Sequence, residues 1–170
     1  MSDERMIVDV CNRADDWTVL GNDTTGLNVA SYGASNSNTI RFNKADGAAN
    51  TKIAAIYRTI AIDMSTCWPD DRLVWGCYCG DTTNVASSFV RLGTDSGNYA
   101  EYQFADSSLN NAAWTVCSEK LGEPASIVGN GLITTKPTYL VIGMNFDAAG
   151  NTLANIGASM IYVASAIWTN

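Results

Sequence analysis

Histidine is absent from this 170-residue chain. Without it there is no Ser–His–Asp or Cys–His nucleophile system and no His-ligated metal site. Basic residues are scarce as well: 10 Lys and Arg stand against 17 Asp and Glu, for a net charge of −7. So acidic a chain offers no electrostatic footprint for phosphate backbones, and nucleic acid is not an expected partner. No apolar run approaches the ~20 residues of a membrane-spanning helix, so no membrane partner is expected either. The opening Met1-Ser2-Asp3-Glu4-Arg5-Met6 is charged and has no apolar stretch of the signal-peptide kind. The expectation is of a soluble protein made in a cytoplasm and not exported by that route.

Against these gaps stands a hydrophobic fraction of 46%, with only 16% charged residues. A chain of this length suits one domain and buries about 70% of its unfolded surface. The expected organisation is a single domain over residues 1–170, with 1–10 either an N-terminal arm or a first strand. The five cysteines are Cys11, Cys67, Cys77, Cys79 and Cys117. An odd number in a leaderless chain argues against a disulfide framework. Cys77 and Cys79 fall on one face of a strand. A zinc site would need a second closely spaced pair, which is lacking, so the thiols read as small core residues.

Apolar runs alternate with period two and are separated by Gly, Asn, Asp, Ser and Thr clusters, the punctuation of an all-β sandwich or barrel. Strands are expected at 52–63, 72–79, 87–92, 98–104, 113–119, 139–146 and 156–168. Shorter ones are expected at 6–10, 27–32 and 39–42, with a small edge strand at 17–20. The count is about nine to eleven, with ends uncertain by a few residues. Helix signals are poor. In the first run Ile56, Arg58, Ile60 and Ile62 share one side, and Ile53, Ala55, Tyr57 and Thr59 the other. In 87–92 Phe89 and Arg91 face opposite Val90 and Leu92. Gly93-Thr94-Asp95-Ser96-Gly97 reads as a hairpin turn, with Gly93 and Gly97 at positive φ and Asp95 bonding local amides. Pro69, Pro124 and Pro137 fall between strands, where a missing N–H costs nothing.

Four segments in this order carry a resemblance. They are Ile60-Ala61-Ile62-Asp63-Met64-Ser65, Arg72-Leu73-Val74-Trp75-Gly76-Cys77-Tyr78, the stretch from Phe89 through Leu92-Gly93-Thr94-Asp95-Ser96-Gly97-Asn98-Tyr99 to Tyr102, and Ala113-Trp114-Thr115-Val116. Together they resemble the galactose-binding-like or concanavalin-like jelly roll of tailed-bacteriophage virion proteins and carbohydrate-binding modules. The likeness spans roughly residues 50–165, is most specific in the hairpin, and departs from the type at 66–71. It implies an antiparallel jelly-roll β-sandwich and no catalytic residue. It also implies the structural calcium that such domains often carry, and the homotrimers common among decoration proteins.

Candidate chemistry is sparse. Asp15, Asp16, Asp70, Asp71 and Asp147 are oxygen donors of the kind calcium takes, but none sits in a spaced acidic loop, so solvated loop acids are expected and no metal site is assigned. A glycosidase needs two carboxylates about 5–9.5 Å apart, and Glu101 has no evident partner. Of the five tryptophans, Trp75 and Trp114 read as core, while Trp68, beside Pro69 and Asp70, reads as exposed. Trp68, Arg91 and Tyr99 are the glycan-contact candidates. Arg41, Arg58 and Arg91 either snorkel from the sheet or pair with carboxylates at a subunit interface. A surface rich in Asn, Ser, Thr, Ala and Gly and poor in Lys and Glu suits life in an assembly. The leading expectation is a non-enzymatic virion protein: a capsid decoration or cement protein, homo-oligomeric, with a trimer as the form the resemblance implies, contacting the major capsid protein or other virion proteins. The alternative is a carbohydrate-binding module or adhesin head on a virion fibre or capsid surface, with a surface glycan as partner.

Overall fold

The computed structural model describes residues 5–30, 39–46, 51–132 and 135–166. Among them are twelve strands: β1 (Arg5–Asp9), β2 (Thr18–Leu20), β3 (Thr24–Ala30), β4 (Thr39–Lys44), β5 (Ile53–Thr59) and β6 (Arg72–Cys79), then β7 (Val85–Asp95), β8 (Asn98–Ala105), β9 (Ala113–Lys120), β10 (Ser126–Val128), β11 (Tyr139–Phe146) and β12 (Leu153–Ala164). Two short 3₁₀ turns, Ala14–Asp16 and Asp106–Ser108, are the helical content of the described residues. The protein is an antiparallel jelly-roll β-sandwich. One sheet runs β3-β4-β12-β6-β9 and the other β10-β8-β7-β11-β5-β2. β1 pairs with the far half of β12, continuing the edge that β4 occupies on the near half.

The two inner faces build the core. Leu73, Trp75, Cys77 and Cys79 of β6 meet Val90 and Leu92 of β7 and Leu140, Ile142 and Met144 of β11, all buried. Period-two alternation sends these residues inward and Gly76, Tyr78 and Arg91 between them outward. The indole of Trp75 donates to Ser88 Oγ at 2.9 Å, so its one polar atom is satisfied inside the core. Four of the five cysteines are buried and Cys67 is half-buried, and all are free thiols. Burial pushes the Cys79 thiol up to about 12 and raises Cys11 strongly. Cys117 is raised by its hydrogen bond with Cys77 and then by burial. Protonated, enclosed thiols of this kind are core side chains with little nucleophilic character.

Several sequence expectations are revised here. β10 was not anticipated: it has three residues, two of them exposed, and lies at a sheet edge behind Pro124. The last strand is not one uniform run. A bulge between Ser159 and Ile161, with Met160 at φ 26°, shifts the inward set from Ile156 and Ala158 to Ile161 and Val163. Its expected final residues, including Trp168, lie outside the described residues, as do Tyr32 and Gly47. Trp114 is not core. β9 is an edge strand whose inward positions are Thr115 and Cys117, so Trp114 and Val116 point outward, Val116 with 71% exposure. Asp71 is not a solvated acid. It is buried, and its carboxylate accepts from Trp68 N at 2.8 Å and Ala166 N at 3.0 Å.

Candidate functional site

The outer face of the second sheet is built in rows across strands. Residues directly opposite in register share a face. One row reads Thr18, Tyr57, Val141, Arg91, Glu101 and Ser126, through five successive strand pairs. The next reads Thr59, Tyr139, Gly93, Tyr99 and Val128. A third reads Leu20, Ala55, Gly143, Phe89 and Gln103. Three tyrosines separated by up to 82 positions in the chain therefore lie side by side. Tyr57 and Tyr139 have ring centroids 6.1 Å apart at 40°, and Tyr139 and Tyr99 lie 6.4 Å apart at 44°.

Gly93 makes the second contact possible. Tyr139 and Tyr99 both stand opposite it, on strands to either side. With no side chain between them, the rings meet across β7. Nor could a side chain be fitted: a Cβ at Gly93 would lie 2.0 Å from Asn98 O and 2.6 Å from Tyr99 Cα. Close approach, not positive φ, fixes this glycine; neither Gly93 nor Gly97 has the positive φ expected from the sequence. The turn itself is as read. Asp95 Oδ1 accepts from Gly97 N at 2.7 Å and Asn98 Nδ2 at 3.0 Å, and these bonds, the Gly97 amide first, lower the Asp95 carboxyl below its usual range.

Arg91 is held from both sides. Its guanidinium carbon is 4.7 Å from the Phe89 ring centre and 4.8 Å from that of Tyr99. Its Nε donates to Glu101 Oε2 at 2.6 Å. The other oxygen of Glu101 accepts from Gln103 Nε2. Glu101 is buried, and each of its oxygens accepts a hydrogen bond within the protein, which fits a side chain that positions Arg91. No second carboxylate stands in these three rows. Beside Tyr57 and Tyr139 the face drops into an open depression of about 420 Å³, whose polar rim includes Thr59, Thr94, Asp95 and Thr138. Burial raises the Tyr139 phenol, so this ring presents a neutral hydroxyl that can donate and accept.

Of the three candidates, the structure brings Arg91 and Tyr99 together and leaves Trp68 apart. Trp68 is 69% exposed, in the connection between β5 and β6. It lines a separate depression of about 440 Å³ with Arg5, Met6, Cys67, Asp71 and Val163. Tyr57 and Tyr139 were not singled out from the sequence. The usable signal was the alternation that put Tyr57 opposite Ile56. Two of the three strand arginines find carboxylates within the chain: Arg58 pairs with Asp9 and, at 3.6 Å, with Asp16, and Arg91 pairs with Glu101.

The chain is similar in structure to the family 11 carbohydrate-binding module from Clostridium thermocellum in complex with a β-1,3-1,4-mixed-linked tetrasaccharide, with TM-score 0.63 and 8% identity over 98% of each chain. It is likewise similar to a family 30 carbohydrate-binding module, with TM-score 0.62 and 12% identity over 95% of this chain and 99% of that one. The family 30 module of the cellulosomal cellulase Cel9D-Cel44B of Clostridium thermocellum matches at TM-score 0.57 and 13% identity, over 96% and 98%. At such identities the likeness establishes the fold. No protein-family model matches the chain, and neither does any curated protein. None of the structures named here is a virion protein, so the capsid-decoration expectation draws no support from them.

Proposed function

We propose that the protein is a non-catalytic glycan-binding module whose contact surface is the outer face of the β10-β8-β7-β11-β5-β2 sheet. One observation carries the reading: Tyr57, Tyr139 and Tyr99 form a continuous strip of rings 6.1 and 6.4 Å apart, half-exposed and flanked by Arg91. Such a strip offers apolar faces to the C–H surfaces of pyranose rings, with phenol, amide and guanidinium groups beside them for the hydroxyls. The carbohydrate-binding modules of the same fold support this reading over capsid decoration. The ligand class follows from charge. Arg91 is the one cation in the three rows described, and Glu101 neutralises it. A chain of net charge −7 with no uncompensated cation on the face suits a neutral polysaccharide better than a uronate or sulfated one. Either a virion, as the sequence resemblance implies, or another particle could carry such a face.

The test is a panel of neutral and acidic oligosaccharides titrated against the wild type, Tyr139→Ala and Tyr99→Ala. Binding to neutral chains that weakens in both variants is the expected result. Preference for acidic chains, or silence across the panel from a folded protein, overturns the reading.

A further inference from the structure

Trp68 is the glycan-contact candidate that the tyrosine face leaves out. It is the largest apolar side chain that the described residues expose, and its mount is fixed. Trp68 N donates to Asp71 Oδ2 at 2.8 Å, and Asp71 N donates to Trp68 O at 3.0 Å. Asp71 Oδ1 accepts from Ala166 N, just past β12, at 3.0 Å. Just past β9, Leu121 N donates to Asp71 O and Gly122 N to Pro69 O, both at 2.8 Å. A Cβ at Gly122 would lie 2.8 Å from Pro69 Cβ, so this glycine lets the connection seat against the end of β9. A ring held in water on a mount tied to two strand ends has little freedom to lose when a ligand meets it.

Asp70 and Asp71, two of the acids considered for calcium, are committed elsewhere. Asp70 pairs with Lys120 at 3.4 Å, and Asp71 holds the loop. Among the described residues no group of three metal-ligating side chains exists, so these acids do not fit the calcium that the sequence resemblance implies.

The depression of about 440 Å³ beside Trp68 has two kinds of lining. Its deep part is apolar: Val163 is buried, and Met6 and Cys67 are half-buried and pack on the core. Its rim is polar, with the hydroxyls of Thr66 and Ser165 and the guanidinium of Arg5, whose carbon is 5.3 Å from the Tyr162 ring centre. A pyranose resting its C–H face on the indole would bring its hydroxyls to that rim. The apolar floor asks for one thing more, an apolar group carried on the sugar ring. An acetamido substituent supplies it: a methyl for Met6, Cys67 and Val163, and an amide for the rim hydroxyls. A plain hexose leaves the floor uncovered.

We propose that the Trp68 depression is a second carbohydrate site, selective for N-acetylhexosamine units. It shares no lining residue with the depression beside Tyr57 and Tyr139, so the protein is bivalent for two different glycans and can tether one to the other. The proposal does not rest on the tyrosine-face reading.

The test is a nuclear magnetic resonance titration of N,N′-diacetylchitobiose and of cellobiose into the full chain. The proteins are the wild type, Trp68→Ala, Tyr57→Ala/Tyr139→Ala, and that double variant with Trp68→Ala added. In the wild type, diacetylchitobiose is expected to shift the indole N–H signal of Trp68, identified by its absence from Trp68→Ala. The tyrosine double variant should bind diacetylchitobiose as the wild type does at this signal, and about tenfold more tightly than cellobiose; burial of one methyl group accounts for about fourfold of that. The acetamido methyl protons should receive the strongest saturation transfer from the protein. Adding Trp68→Ala to the double variant should weaken binding at least about tenfold. A Trp68 signal that diacetylchitobiose leaves unmoved in the folded wild type overturns the proposal. So does cellobiose binding the double variant equally well, or binding that survives Trp68→Ala in that background. Loss of diacetylchitobiose binding in a folded double variant puts the sugar on the tyrosine face, which overturns this proposal and leaves the reading of that face standing.

Discussion

The two sheets turn different outer faces to solvent, although both carry aromatics. On the β3-β4-β12-β6-β9 sheet, Tyr78 and Trp114 meet edge to face at 5.7 Å and 65°, beside the exposed Val116 and Met160. On the β10-β8-β7-β11-β5-β2 sheet, three tyrosines lie at shallow angles to one another, and an Arg91–Glu101–Gln103 network is laid beside them. The first face has rings packed on each other; the second has rings in a strip with polar groups at fixed positions. Aromatic content alone therefore does not define a site. What separates the two faces is the pairing of a ring strip with hydrogen-bonding groups whose own partners hold them in place.

The comparison can be broken most severely at Gly93. Gly93→Val forces a side chain into Asn98 O and the Tyr99 backbone, and is expected to cost about 3 kcal/mol of folding stability by urea unfolding. A loss under about 1 kcal/mol would show that β7 and β8 are not as close as described. Next, Tyr139→Ala removes the ring that touches both other tyrosines. It is expected to weaken neutral-glycan affinity by about 1.5 kcal/mol, or roughly tenfold, in calorimetric titration. Trp114→Ala on the opposite sheet should leave that affinity unchanged; equal losses in the two variants erase the distinction between the faces. Arg91→Lys is a finer probe. It keeps the charge but loses the planar stack between Phe89 and Tyr99, for an expected affinity loss of about 1 kcal/mol.

The smallest effect is on pH dependence. Hydrogen bonds lower the carboxyls of Asp23, Asp63, Asp81 and Asp95 in the folded state. A carboxyl lowered on folding adds stability that is present above its unfolded value of about 4 and is lost as pH falls through the folded value. The thermal midpoint should therefore be flat from neutral pH down to about 5 and decline below about 4. Asp95→Asn should flatten that decline slightly. A midpoint that rises on acidification contradicts the assignment.

Much of the fold was readable in the sequence because alternation is a local signal. The spans of β6 and β11 match the expected runs 72–79 and 139–146, and the faces of β5, β7 and β8 follow from counting by two. The hairpin and its Asp95 bonds were legible for the same reason. What was missed depends on non-local neighbours. β10 exists only as pairing against β8, and its three residues carry no pattern of their own. Trp114 looked like core because nothing in its own segment reveals that β9 is an edge strand. Tyr57 and Tyr139 come from strands that become neighbours only through the β5–β11 pairing, so the ring strip had no linear motif. The ion pair of Lys44 and Asp23 was not singled out from the sequence, because only tertiary closure by Thr51 and Ala149 buries it.

The most direct measurement is a calorimetric titration of a neutral mixed-linkage β-glucan tetrasaccharide into the wild type and into a Tyr57→Ala/Tyr139→Ala double variant, with circular dichroism confirming that both are folded. The account predicts saturable heat from the wild type and none from the double variant. Equal binding by the two proteins, or no binding by a folded wild type to this or any other neutral glycan, contradicts it.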